Sequence, residues 1–314
     1  MIFNKDGNGS DELYKLSGTF QASTDFNAIV SEIESAQAEV SDIVGHEVVN
    51  EAETVYAKEN PTAEETSFLQ AVQRAVAFLA ISRYARLTGL SHGDTGRKIK
   101  TDENEKIPFE WMIDRDDREM RERWYRAMDA LFSMLEASAS GKSWEEAWKK
   151  SDARNLALSL IVKNLREVER VYPLERSRYT FHLLAPVIRE VQDTRLRDII
   201  GAERLQQLID GSEAVANIRN QAIRFTVLLA VATAVKRWSL EVFPLSVARR
   251  FSPSYQGNRE SAQASVAEME WFIDKLELQA KGAALEIKTA ISGNPYEGFE
   301  LIPENSPSNK YFTT

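Results

Sequence analysis

The feature that most constrains this chain is an internal repeat. DIVGHEV at 42–48 is echoed by DIIGAER at 198–204. Downstream of each lies an apolar run of helical length, RAVAFLAISRYAR at 74–86 and RFTVLLAVATAVKR at 224–237. Upstream, Phe26 corresponds to Phe181 and Ile33 to Ile188, with a one-residue slip. Each unit reads as helix, glycine, polar connection, apolar helix, the first over about 20–88 and the second over about 174–238. Solenoids need three or more stacked repeats. Two units predict a pseudo-symmetric pair instead, with a segment inserted between them. Gly45 and Gly201 are the expected breaks, because glycine enters conformations closed to other residues.

The fold class follows from periodicity and caps: all-α. Asp25 or Thr24 can cap a helix through Ile29, Ile33, Val40 and Ile43. Thr62 with Glu65 forms a capping box ahead of Phe68, Val72, Val76, Leu79 and Tyr84, and Gly89 ends that helix. Residues 91–106 read as a loop. After Pro108 a long segment, 109–137, places Met112, Trp124, Met128, Leu131 and Leu135 on one face. Ser143 and Glu146 make a second capping box, with Trp144 and Trp148 one turn apart. The run Leu156–Val162 reads as a short strand or a helix start.

The expected organisation has five parts. An N-terminal helical unit spans 1–103, an inserted helical segment 104–155, and a second helical unit 156–257. A long heptad-patterned helix spans 258–292, and an extended tail 293–314. In the long helix Ala262, Val266, Met269, Ile273, Leu276, Ala280, Ala283, Ile287 and Ala290 alternate at spacings of 4 and 3. That is an a/d seam, for the chain's own body or for a partner helix. In the tail, prolines forbid a continuing helix, yet Tyr296, Phe299, Leu301, Ile302, Tyr311 and Phe312 are strongly apolar. Tyr296, Phe299, Leu301, Tyr311 and Phe312 are therefore the candidate partner-docking residues, lying extended on a neighbour.

Composition narrows the function. The chain has 314 residues, 39 basic and 48 acidic, a net charge of −9. Residues 1–60 alone carry −9, and residues 151–260 carry +5. An acidic whole argues against a general nucleic-acid coat. Either the charges segregate on solvated faces, or the acidic surface of one copy meets the basic surface of the next. There is no cysteine, so disulfides, thiolate metal sites and cysteine nucleophiles are excluded. The N-terminus lacks the basic start and apolar core of a secretory signal. The run Phe225–Val235, bracketed by Arg224 and Lys236, is short of the ~20 residues of a membrane span. A cytoplasmic, soluble protein is the expectation.

Catalytic patterns are approached but not completed. His46–Glu47 opens like a zinc-protease H-E-x-x-H, but residue 50 is Asn. SHGDTGRK at 91–98 has the wrong spacing for a phosphate loop. Asp114, Asp116, Asp117 and Glu119 interleave with Arg115, Arg118, Arg121 and Arg123. Pairs Asp114–Arg118 and Asp117–Arg121 fit a salt-bridged helix face rather than a divalent-metal site. Arg249–Arg250 near Tyr255 is a weak nucleic-acid signal. The expectation is no enzyme, no cofactor and no metal.

Residues 169–201 read ERVYPLERSRYTFHLLAPVIREVQDTRLRDIIG. Tyr172–Pro173–Leu174, Ser177–Arg178, Thr180–Phe181, the stretch Leu184–Ala185–Pro186–Val187–Ile188–Arg189–Glu190, and Ile200–Gly201 carry a resemblance. The segment resembles an uncharacterised family of helical proteins encoded in virion-structure gene clusters of tailed phages and prophages. Its helix–glycine–helix plan is similar to head–tail connector (adaptor) proteins. The resemblance implies a virion structural protein at the head–tail junction, present in the host cytoplasm during assembly. It implies a ring homo-oligomer, dodecameric by family analogy, contacting portal and tail proteins. DNA would pass through the lumen without sequence-specific binding, and no membrane is involved. The alternative is a cytoplasmic helical scaffold or regulatory interaction protein.

Overall fold

The computed structural model describes residues 1–18, 20, 23–88, 91–93, 96–98, 109–137, 141–237 and 266–293. The chain is all-α. It divides into two compact units, 1–155 and 156–314.

In the first unit α1 spans Gly9–Ser17, α2 Val30–Val44, α3 His46–Ala57 and α4 Ala63–Thr88. A two-stranded antiparallel ribbon follows, β1 Ser91–Gly93 with β2 Gly96–Lys98, where the sequence reads as loop. Then come α5 Glu110–Ala137, α6 Ser143–Lys150 and α7 Asp152–Leu158, whose last turn crosses into the second unit. Helix α4 is the centre of this unit. Phe68, Val72, Val76 and Ala80 are fully buried, and α2, α3 and α5 pack around it. The segment 104–155 thus supplies core to the first unit. Trp144 stacks on Phe68 with ring centroids 4.9 Å apart, and Trp148 meets Phe132 edge-on at 5.8 Å. The N-terminal segment is strapped in: Ile2 is fully buried, its N–H donates to Gln37, and its carbonyl accepts from buried Gln73 at 2.7 Å.

The caps test the sequence reading closely. Asp25 accepts from the Asn27 N–H and opens a 3-10 turn, Phe26–Ala28, ahead of α2. The Thr62–Glu65 box forms reciprocally, at 2.8 and 3.2 Å. The Ser143–Glu146 box does not form. Lys142 occupies the cap position, and Glu145 instead accepts from the Gly141 N–H at 2.9 Å while pairing with Lys149. Met112 is exposed, not aligned with the buried Trp124, Met128, Leu131 and Leu135.

Glu65 also meets the Lys58 ammonium at 2.5 Å, and that pairing, with the Thr62 N–H, pushes its carboxyl down to about 2. Its contribution is present above the ordinary carboxylate value near 4.5 and is lost as pH falls toward 2. Thr62→Ala is expected to cost about 1 kcal/mol in denaturant melts. Glu65→Gln is expected to lower stability at pH 7 and to lose its difference from the natural chain as pH approaches 2.

In the second unit α8 is Leu165–Glu169 and α9 Arg178–Val191, continued by a π-helical turn, Gln192–Leu196, into α10 Arg197–Ile200. Then come α11 Ala202–Asp210, α12 Ala216–Arg237 and α13 Val266–Ser292. Leu160, Ile161 and Val162 form neither strand nor helix but a buried turn. Its polar groups are met by Gln192, itself fully buried, which accepts from the Ile161 N–H at 2.8 Å and donates to the Ser159 carbonyl. Arg219 seals the same turn from α12, donating to the Ile161 and Leu208 carbonyls and to Glu167. Buried backbone outside regular structure needs such partners.

The heptad seam of α13 packs on the chain's own α12: Ile273, Leu276, Ala280, Ala283 and Ile287 are buried there. Ala290, at the end of the expected seam, is exposed, and Ala262 lies outside the described residues. The described helix has 27 residues and is about 40 Å long. The segment Glu213–Arg237 is long and apolar enough to cross a membrane by length and composition, and 61% of its apolar window is buried in this core.

In both units a helix ends on a glycine, a shorter helix follows, and a long apolar helix comes next. The polar connection expected after each glycine is itself helical, α3 in one case and α11 in the other.

Candidate interaction surfaces

Gly45 has φ 106° and ψ 139°, and Gly201 has φ 82° and ψ 162°. Each donates its N–H back to the carbonyl four residues earlier, Ser41 and Arg197, at 2.8 Å. Both junctions are therefore tight helix ends in backbone conformations that glycine accommodates.

The segment 169–201 is mostly core. Leu174, Phe181, Leu184, Ala185 and Ile188 are buried. Ser177 caps α9, accepting from the Thr180 N–H at 3.0 Å, with the two hydroxyls 2.8 Å apart. Arg189 reaches Ser159 at 2.6 Å and pairs with Asp193; Glu190 pairs with Arg237, whose guanidinium holds its carboxyl below the usual range. What this segment presents outward is a strained turn. Glu175 and Arg176 are both left-handed, φ 54° and 62°, and both exposed, with Arg176 N–H anchored on Glu169 at 2.6 Å. Consecutive non-glycine residues in this region persist only where surrounding contacts hold them. Tyr172 beside it is edge-on to Phe272, centroids 6.4 Å apart.

Among the described residues of the first unit, exposed large apolar side chains gather where α4 ends and α5 begins. Leu87, Phe109, Trp111, Met112 and Ile113 are all exposed, Phe109 at 68%. Arg86 and Asp117 pair at 3.2 Å and tie the two helices there. Asp117 thus pairs across to α4, and neither Asp117–Arg121 nor Asp114–Arg118 forms an ion pair among the described residues. Contiguous apolar surface of this kind marks a contact site. Sequence periodicity misassigns Met112 because the first turn of α5, ahead of Asp117, is exposed while the helix is buried only from Trp124 on.

An open polar cleft of about 420 Å³ lies at the N-terminus, lined by Asn4, Asn8, Ser10, Asp11, Asp25 and Asn27 among others. Beside it Tyr56 donates to both Glu12 oxygens at 3.0 Å; burial first, and then the Glu12 charge, push its phenol up. Glu12 is already engaged by the Asn4 and Lys5 N–H groups, so it offers no free ligand oxygen to a cation.

His46 is exposed, bonded to Ser41 at 2.7 Å and 3.6 Å from Asp42. Among the described residues no group of three or more metal-ligating side chains converges. The expected docking residues Tyr296, Phe299, Leu301, Tyr311 and Phe312 lie outside the described residues, as do Arg249, Arg250 and Tyr255.

A family of unknown function (DUF6712) matches residues 40–154, from the last turn or so of α2 into α7. No curated protein and no solved structure matches the chain. The family match falls in the first unit and does not reach residues 169–201.

Proposed function

We propose that this chain is a structural subunit of a tailed-phage or prophage particle, a head–tail connector that joins the portal to the tail as a ring. The observation that carries the reading is the Tyr172–Glu190 motif with Ile200–Gly201. Three physical features support it. An all-α body gives rigid side faces. The exposed apolar end around Phe109–Ile113 offers a contact surface that a lone chain leaves in water. Net charge of −9, concentrated in residues 1–60, repels rather than retains DNA moving through a lumen. Head-to-tail contacts between copies close into a ring when the rotation per subunit closes. The aromatic side chains of residues 294–314 supply apolar surface with which to lock a neighbour.

The test is co-expression of the tagged chain with the portal protein of the same gene cluster. Co-purification as one large complex supports the connector reading. A chain that ignores the portal and instead captures cytoplasmic regulatory partners favours the scaffold alternative.

A further inference from the structure

The second unit has one corner whose positive charge its own carboxylates do not meet. Residues 163–178 hold Lys163, Arg166, Arg170, Arg176 and Arg178 against Glu167, Glu169 and Glu175. Glu167 pairs with Arg219, a further cation, from α12 at 3.2 Å, and Glu169 accepts from the Arg176 N–H at 2.6 Å. Glu175 is exposed. Arg166, Arg170 and Arg176 are exposed and Lys163 is half-buried, and none of these four makes an ion pair among the described residues. The other basic stretch of this unit has no such surplus: Arg195, Arg197 and Arg204 interleave with Asp193, Asp198 and Glu203.

The fold gathers the unpaired cations. Leu165 and Val168 are buried on one side of α8. Arg170 continues its last turn in helical conformation, φ −68° and ψ −23°. At about 100° per residue, Arg166 and Arg170 lie within about 40° of each other on the opposite side. The bond from the Arg176 N–H to Glu169 returns the left-handed turn at Glu175–Arg176 to the end of the same helix. In the connection between helix and turn Pro173 is exposed, and Val171 and Tyr172 are half-buried. A ligand for this corner is therefore acidic and partly apolar.

The chain carries such a segment outside the described residues. Residues 296–304, YEGFELIPE, hold Glu297, Glu300 and Glu304, no base, and four large apolar side chains. The 21 residues after Gly293 can span up to about 70 Å when extended, well beyond the length of α13, which puts a neighbouring copy in range. The exposed apolar end of α5 is a poorer match for them. Residues 110–119 hold Glu110, Asp114, Asp116, Asp117 and Glu119 against Arg115 and Arg118, and like charges repel across an interface.

We propose that the corner formed by Lys163, Arg166, Arg170 and Arg176 receives residues 296–304 of a neighbouring copy through Glu297, Glu300 and Glu304. The choice of a neighbouring copy rests on the ring reading, and the proposal names the surface on which the C-terminal segment locks.

A labelled synthetic peptide of residues 294–314, titrated with the full chain and followed by fluorescence anisotropy, tests it without the portal. Saturable binding is expected on the order of tens of micromolar, weakening as salt rises, because exposed charge pairs are screened. Arg166→Glu combined with Arg170→Glu should weaken it by more than about tenfold. A peptide with Glu297→Lys, Glu300→Lys and Glu304→Lys should bind that variant better than it binds the natural chain, a reversal that a merely unfolded variant cannot give. The chain has no cysteine, so Arg170→Cys and Phe299→Cys on separate chains give one thiol each. Mild oxidation should join them faster than it joins Arg204→Cys to Phe299→Cys. Absence of peptide binding, charge reversal without effect, or no preference for 170 over 204 would overturn the proposal. So would linkage of 170 to 299 only when both cysteines are on one chain, which would place the segment on its own copy. Loss of duplex DNA binding in the Arg166→Glu, Arg170→Glu chain with peptide binding intact would assign the corner to a phosphate backbone instead. A chain that binds the peptide as expected yet ignores the portal would keep this docking and sink the connector reading alone.

Discussion

Gly45→Ala is expected to destabilise the chain more than Gly201→Ala does, although both glycines end a helix in the same way. Each sits at positive φ with extended ψ, a region essentially reserved for glycine, and a side chain there costs about 1–3 kcal/mol. That strain is common to both. The surroundings differ. A Cβ at Gly45 would lie 2.8 Å from Cβ of Ser151 and 3.4 Å from its Cα; one at Gly201 meets nothing within 4 Å. Ser151 is buried and cannot easily retreat, because its N–H donates to the Trp148 carbonyl and its hydroxyl accepts from the Arg154 N–H. Overpacking against it adds roughly 1–3 kcal/mol to the strain. Urea melts followed by helical circular dichroism read the difference. Gly201→Val, which meets the strain alone, should still cost more than ~1 kcal/mol. Equal losses at 45 and 201, or a neutral Gly201→Val, would contradict the junction geometry.

On the proposed connector reading, deleting residues 294–314 is expected to abolish assembly with the portal while leaving the melting temperature of the free chain almost unchanged. The segment carries six large apolar residues, and Pro295, Pro303 and Pro307 keep it from forming a helix of its own. Ordering it costs ~1–2 kcal/mol per residue. Docked on a neighbour, Tyr296, Phe299, Tyr311 and Phe312 can each bury an aromatic face at ~25 cal/mol per Å². The readout is co-purification with the portal, beside the melting curve of the truncated chain. If truncation unfolds the free chain and assembly fails only as a consequence, the tail belongs to this chain's own core and the docking role is wrong.

The helices were legible because their signals are local. Thr62 and Glu65 announce α4 three residues apart, and Asp25 announces the turn before α2. Gly45 and Gly201 stood out through repetition, and their positive φ values are what a break at glycine requires. What local pattern misses is which partner a charged or polar group selects in three dimensions. Glu146 matches the capping-box spacing, yet Glu145 makes the bond because Gly141 presents its N–H on that side. Asp117 has Arg121 one turn away, yet α4 brings Arg86 alongside. Gln192 gave no sequence signal at all: its role depends on the buried turn at Leu160–Val162, thirty residues upstream, lying beneath it.

The most direct measurement is electron microscopy of purified particles from a host carrying this gene, with a gold label on a tag fused to the chain. A connector subunit places the label at the single vertex where head meets tail, on every tailed particle. Particles without label at that vertex, with the tagged chain left in the host cytoplasm, would contradict the connector reading.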